Sequence, residues 1–368
     1  MVRKGKSAWL LHDLTHRGPT AWLLTALLVA FYLLLYFTHF FTPVAHSLGL
    51  SSKWTLYGLL YTLAILAGGV HVLRKYRHNR YQVVRTSVVM FVQVVFAFSI
   101  PEILQFFHQP EYYFSYFWPL KFDDLNPSVV FHLPLFYALY SFLGALLLAP
   151  FLGVVFGKRW YCSWVCGCGG LANTAGDGLR HLTSKSSRAW KFEKISIHAV
   201  LAVSVLLTAL LFVSYGLGSR APALARFTYN FQTVYAFLVV ATLSGVVGAG
   251  LYPLGGTRIW CRNFCPMAAV LGLVQKLGRF RITVKPNMCI SCGLCSKYCE
   301  MGIDVRAYAQ ANQSFTRASC VGCGLCAEVC PRGVLRLENA RSHAPQRASL
   351  VQIAPLASAA SPSPGRPR

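Results

Sequence analysis

Apolar and polar positions alternate on a long scale in this chain. Six apolar runs occupy its first two thirds: Ala21 to Phe41, Trp54 to Leu73, Thr86 to about Phe106, Leu133 to Phe156, Ile195 to Gly216 and Gln232 to Leu254. Each is close to the ~20 residues needed to cross a hydrocarbon core, so each predicts a transmembrane helix. The first run is too long for a signal-peptide core and lacks a clear small-residue cleavage site, which predicts an uncleaved anchor. Pro101 predicts a kink in the third. Ser244, Gly245, Gly248 and Gly250 in the sixth predict close approach of another helix. After Arg281 the pattern changes to a short, cysteine-rich stretch ending near Leu337. The final segment, rich in Ala, Ser and Pro, predicts disorder. The divisions are therefore an N-terminal segment 1–18, a transmembrane domain 19–280, a cysteine-rich domain 281–338 and a tail 339–368.

Composition supports this division. The chain is 55% hydrophobic and only 12% charged, whereas soluble domains carry about 25% charged residues. Its net charge of +24 raises the question of nucleic acid. The basic residues, however, sit in short loops beside apolar runs, which is the positive-inside pattern of a membrane protein and argues against nucleic-acid binding. The N-terminal side carries sixteen Lys and Arg before the sixth run, from Arg3, Lys4, Lys6 and Arg17 onward, and the opposite side four. Both termini and all thirteen cysteines are thereby expected on the cytoplasmic face of a bacterial inner membrane, where thiols stay reduced. No Gly-rich nucleotide fingerprint, catalytic triad or phosphate loop is present, so an electron carrier is expected in preference to a substrate-converting enzyme.

The cysteine-rich stretch carries the chemistry. It reads CISCGLCSKYCE from Cys289 and CVGCGLCAEVCP from Cys320. Each half is C-x2-C-x2-C-x3-C, which supplies three thiolates to a cubane iron–sulfur cluster from one tight loop, with the fourth crossing over. Cys289, Cys292, Cys295 and Cys330 are thus expected to hold one 4Fe–4S cluster, and Cys320, Cys323, Cys326 and Cys299 a second. Gly293 and Gly324 fall at equivalent places, as do Leu294 and Leu325, which marks an internal repeat folded as a pseudo-twofold pair. A disulfide framework would need an oxidising compartment, and paired zinc knots would have longer gaps between their CxxC pairs. Glu300 stands where the second half has Pro331.

A second repeat lies outside this stretch. Gly157-Lys-Arg-Trp-Tyr-Cys162-Ser-Trp-Val-Cys166 parallels Gly256-Thr-Arg-Ile-Trp-Cys261-Arg-Asn-Phe-Cys265, each following an apolar run. If each C-x3-C opens a short helix, its two thiols share a face, and two such elements could form one four-thiolate site. Arg159 and Arg258 would stabilise its charge. A third cluster or copper, dithiol chemistry and a structural role all remain open here. Cys168 is either an extra ligand or a spectator. His71 and His198 near span ends make bis-imidazole haem conceivable, although interfacial histidines explain them more simply. The aromatic loop Tyr112 to Trp118 suggests headgroup depth, with a quinone pocket as the sharper alternative. Glu102, His108 and His132 at the outer boundary would be proton partners for a quinol.

Taken together, the spans, the paired C-x3-C motifs and the C-terminal pair of CxxCxxCxxxC runs resemble the NapH, NosR and CcoG group of membrane polyferredoxins, over roughly Val130 to Leu337. The resemblance implies an α-helical membrane protein with a C-terminal α+β dicluster ferredoxin domain. It also implies single-electron transfer at the cytoplasmic membrane, from quinol toward a reductase in some members and toward metal handling for a copper oxidase in others. The expected partners are membrane lipid, redox proteins and a quinol. The alternatives are an accessory factor for metalloenzyme assembly or metal reduction, and a redox sensor. Two departures stand out: Gly167-Cys168 follows Cys166 where the pattern has proline, and there is no large flavin domain.

Overall fold

The computed structural model describes residues 12–339. Arg3, Lys4 and Lys6 of the N-terminal segment, and the tail from residue 340, lie outside the described residues. Six helices are long and apolar enough to cross a membrane. They are α1 (Pro19–Phe37), α2 (Lys53–Lys75), α3 (Arg80–Phe106), α4 (Leu135–Phe156), α5 (Ser187–Leu217) and α6 (Pro222–Ala249). Their starts follow local chemistry. Pro19 and Pro222 occupy first-turn positions where a missing N–H costs nothing. Ser52, Asn79 and Ser186 cap α2, α3 and α5 by accepting from Thr55, Gln82 and Ala189.

Two boundaries differ from expectation for a shared reason. α5 begins at Ser187 and α6 at Pro222, eight and ten residues before their apolar runs. Their first turns are amphipathic, so hydropathy alone does not register them. In α3 the turns widen between Gln93 and Ser99, just before Pro101, and the helix continues to Phe106. Widened turns accommodate the missing Pro101 N–H in place of a break. Close packing at the α6 glycines holds as expected: a Cβ on Gly245 would stand 2.6 Å from the Tyr36 ring of α1.

The aromatic loop between α3 and α4 is a correction. It folds back into the bundle, with Tyr112 and Phe117 buried at 1% and 3% exposure. Tyr140 donates to the Phe114 carbonyl at 2.8 Å, Trp118 Nε1 to Thr208 at 3.0 Å and Tyr161 to the Ser115 carbonyl at 3.1 Å. Irregular backbone beside apolar helices needs protein partners for its polar groups, and these hydroxyls and the indole supply them.

The cysteine-rich unit sits on the bundle end at which α4 finishes. A helix, α7 (Pro266–Lys276), packs on α4 and α5 and leads into β1 (Phe280–Val284). β1 pairs antiparallel with β2 (Leu335–Asn339), Phe280 opposite Asn339, so the ribbon closes the unit on itself. Gln275 of α7 is fully buried and clips three segments: its amide donates to the Arg317 and Cys320 carbonyls at 2.7 and 3.0 Å, and its oxygen accepts from the Lys158 N–H at 2.8 Å. Inside the ribbon, Gly293 and Gly324 have φ of 77° and 80°, each opening a one-turn helix at Leu294 and Leu325. Only glycine adopts that conformation without strain, and its recurrence is the internal repeat in backbone form.

Candidate functional site

Two small pockets occupy the halves of the ferredoxin-like unit. Cys289, Cys292, Cys295 and Cys330 line the outer one, beside Arg306 and Arg332. Cys299, Cys320, Cys323 and Cys326 line the inner one, with Ile282, Phe315 and Glu300. Each pocket thus draws three cysteines from one run and the last cysteine of the other. All thirteen cysteines are free thiols. Among the described residues, no three His, Cys, Asp or Glu side chains gather tightly enough for a single metal ion. A soft, all-cysteine donor set spread around a small cavity fits a multi-iron body with its own sulfides.

The inner pocket is pressed against the bundle. Arg85 donates to the Cys323 carbonyl at 2.7 Å, Gln82 to the same oxygen at 2.9 Å, and Tyr81 to the Gly322 carbonyl at 2.7 Å. Behind it lies a buried ionic chain. Glu300, fully buried, accepts from Arg180 at 2.7 Å and from Arg258 at 2.9 Å. Arg180 also binds Asp177 at 2.9 Å, and Asp177 binds Lys75 at 2.6 Å. Burial alone would raise the Glu300 pKa, but the two guanidiniums outweigh it and hold the carboxyl below its ordinary value. Sequence reasoning noted Glu300 only as a departure from the repeat and assigned no role to it or to Arg180, Asp177, Arg85 and Gln275. The available signal was Glu300 itself, an acid where the sister run carries Pro331.

The paired C-x3-C motifs meet beside this chain. Cys162, Cys166, Cys261 and Cys265 are each buried at 5–6% exposure in one core cluster. The expected single helix per motif is corrected: the thiols flank a break. Cys162 ends the turn Arg159–Cys162, and Cys166 precedes the helix Gly167–Asn173. Cys261 lies in Ile259–Asn263, and Cys265 caps α7, its sulfur accepting from Ala268 N at 3.4 Å. Pro266 imposes the break in the second motif, because the residue before proline avoids helical geometry. Burial pushes Cys162 up to about 12 and Cys261 and Cys265 upward as well. Burial thus opposes the thiolate form at these three positions.

The arginine expectation is half right. Arg258 Nη1 stands 3.7 Å from the Cys261 sulfur and donates to the Cys162 carbonyl at 3.1 Å. Arg159 points away, onto Phe280 and Asn339. The buried cation of the first motif is its neighbour Lys158, whose charge favours the Cys162 thiolate. Cys168 lies two residues on, and its side chain is the largest influence holding Cys166 below the ordinary thiol value. The two cysteine systems touch directly: Ser163, between Cys162 and Cys166, donates to the Val321 carbonyl, between Cys320 and Cys323, at 2.6 Å.

Tyr61, Tyr116 and Gln93 crowd Gly167 on the bundle side, where a Cβ would meet the Tyr116 hydroxyl at 2.9 Å and Gln93 Oε1 at 3.0 Å. His71 and His198 are exposed on α2 and α5, and His198 bonds the Lys194 carbonyl of its own helix at 2.7 Å. His108 and His132 are exposed and Glu102 is partly so.

Cysteine pockets on a bundle of six apolar helices fit a membrane polyferredoxin, and comparison with known proteins gives the same class. A family model described as a 4Fe-4S dicluster domain matches residues 282–337. A second, a 4Fe-4S binding domain, matches twice, over 136–192 and 235–285, so each copy includes one C-x3-C motif. Among curated relatives, YccM of Escherichia coli, named as a candidate electron transport protein, is 27% identical over 40% of this chain and 43% of its own length. The methylamine utilization ferredoxin-type protein MauN of Methylobacillus flagellatus is 29% identical over 43% of this chain and 54% of its own. The chain thus spans about half the length of the curated relatives it matches. No solved structure matches.

Proposed function

We propose that this protein passes single electrons along three adjoining cysteine sites at the cytoplasmic face of a bacterial inner membrane. Cys289, Cys292, Cys295 and Cys330 would hold an outer 4Fe–4S cluster, and Cys299, Cys320, Cys323 and Cys326 an inner one. Cys162, Cys166, Cys261 and Cys265 would hold a third cluster at the helix ends. These groups supply reversible one-electron chemistry. The chain's own residues position them, exclude water from the inner two, and set their electrostatics through Arg85, Arg258 and Lys158. The observation that carries the reading is the Ser163–Val321 hydrogen bond, which joins the inner pocket to the C-x3-C site. The repeated 4Fe-4S match over both C-x3-C segments favours a cluster there over copper. A quinol is the fitting membrane partner, met by the Tyr116 hydroxyl and the Tyr61 ring beside Gly167. The partner at the other end is a redox protein, met by the exposed surface around Cys292.

The crossed ligand sets give the decisive test. In electron paramagnetic resonance of the reduced protein, Cys299→Ser should resemble Cys323→Ser and differ from Cys292→Ser. Anaerobic preparations should hold about twelve iron, falling to about eight when Cys162 and Cys261 are both changed to Ser. A Cys299→Ser spectrum matching Cys292→Ser would remove the crossed arrangement.

Orientation is checked separately. A periplasm-dependent reporter fused after Leu337 should be silent, and one at exposed Gln109, clear of the buried aromatic loop, should be active. The opposite pattern would put the cysteines on the wrong side for this function.

A further inference from the structure

A cavity of about 300 Å³ opens between the first turns of α5, the outer side of α7 and the segment 316–319 leading into Cys320. Lys158, Lys194, Arg262, Lys276 and Arg317 line it against one carboxylate, Glu193. That carboxylate is engaged, since Arg262 Nε donates to it at 2.7 Å. Among the described residues, Lys194, Lys276, Arg317 and Lys158 have no carboxylate partner. Lys158 Nζ donates to the Ala318 carbonyl at 3.3 Å. Arg317 lies over the Trp190 ring at 4.9 Å, which holds the guanidinium without neutralising it. Arg262, only 4% exposed, keeps Nη2 without a hydrogen-bond partner.

Apolar side chains share the lining, from Trp190, Ile197, Ala268, Ala269 and Met301. Cations beside apolar side chains in one opening are suited to a group with an anionic head and a hydrocarbon body. The volume is at the lower end of small-ligand pockets, enough for one headgroup and too little for a dinucleotide. Basic pockets between helices on the cytoplasmic side hold lipid phosphates in this manner.

We propose that this cavity binds a phosphate-bearing anion, the headgroup of an anionic phospholipid, beside the inner cysteine pocket. The site rests on the membrane placement proposed above and not on any cluster being present.

The test uses the full chain in nanodiscs of phosphatidylcholine with and without phosphatidylglycerol, with retained lipid counted by native mass spectrometry. Wild type should keep phosphatidylglycerol in preference. A Lys194→Ser, Lys276→Ser, Arg317→Ser variant should lose that retention at least ~10-fold, while Arg74→Ser, Arg77→Ser, Arg80→Ser, equal in charge lost, should keep it. The milder Arg317→Gln should give a partial loss should the triple variant fold poorly. Retention that resists inorganic phosphate identifies the lipid headgroup; displacement by inorganic phosphate identifies a free-anion site of the same chemistry. Equal retention in wild type and cavity variant, or no preference for phosphatidylglycerol, would overturn the proposal. Iron content and cluster spectra of the same samples report on the electron-carrier reading independently.

Discussion

The two halves of the ferredoxin-like unit share a cysteine spacing, a left-handed glycine and a one-turn helix, yet their surroundings are opposite. The outer pocket faces out: Cys292 is exposed, and Ile290 beside it is 55% exposed. The inner pocket is roofed by α3 and backed by the Lys75–Asp177–Arg180–Glu300–Arg258 chain. One motif therefore stands in two settings, one beside exposed surface and one pressed against the helix bundle. What distinguishes them lies in residues outside the cysteine pattern.

The contrast is broken most severely at the residue after each final cysteine. Glu300→Ala should cost about 3–5 kcal/mol, because it strands two buried guanidiniums. Pro331→Ala, at the exposed equivalent place, should stay within about 0.5 kcal/mol. Chemical denaturation followed by cluster absorbance measures both, and equal costs would mean that the halves are not differently embedded. A smaller effect sharpens the electrostatic side. A cation beside a cluster favours its reduced, more negative state, so Arg85→Gln should lower the inner cluster's potential, by on the order of 50 mV, about 1 kcal/mol for one electron. Arg306→Gln, solvent-exposed at the outer pocket, should move its cluster less, since water screens it. Redox titration followed by paramagnetic resonance separates the two. The mildest change for the protein itself is Ile290→Asp, which should leave both potentials and iron content intact and slow electron exchange with a partner about tenfold. Unchanged exchange would move the docking surface elsewhere.

Much of this was legible in the sequence. Six apolar runs marked six helices, because continuous hydropathy reports directly on lipid compatibility. The cysteine spacing anticipated which cysteines line each pocket, three from one run with the last of the other, and their ligation of clusters is the proposal the spectra test. Two kinds of feature were not legible. Amphipathic first turns, as at Pro222 and Ser187, escape a hydropathy count. Long-range ion pairs have no local signature: Arg180 and Glu300 are 120 residues apart, and nothing near either announces the other. The aromatic loop was misplaced for a related reason, since rings that suit a headgroup belt also suit a gap between helices. Arg159 shows the limit of reading an imperfect repeat, where the working cation moved by one residue to Lys158.

The exchange of terminal cysteines between the halves has a consequence for how the protein is made. The pocket begun by Cys289 closes only with Cys330, and the one closed by Cys299 waits for Cys320 to Cys326. A ribosome that has finished the sixth helix and the first run has made all four thiols of the C-x3-C site but has completed neither ferredoxin-like pocket. With the ligation proposed above, those two pockets would fill only after synthesis of nearly the whole described chain. A message truncated anywhere before Cys330 would leave the outer pocket one cysteine short.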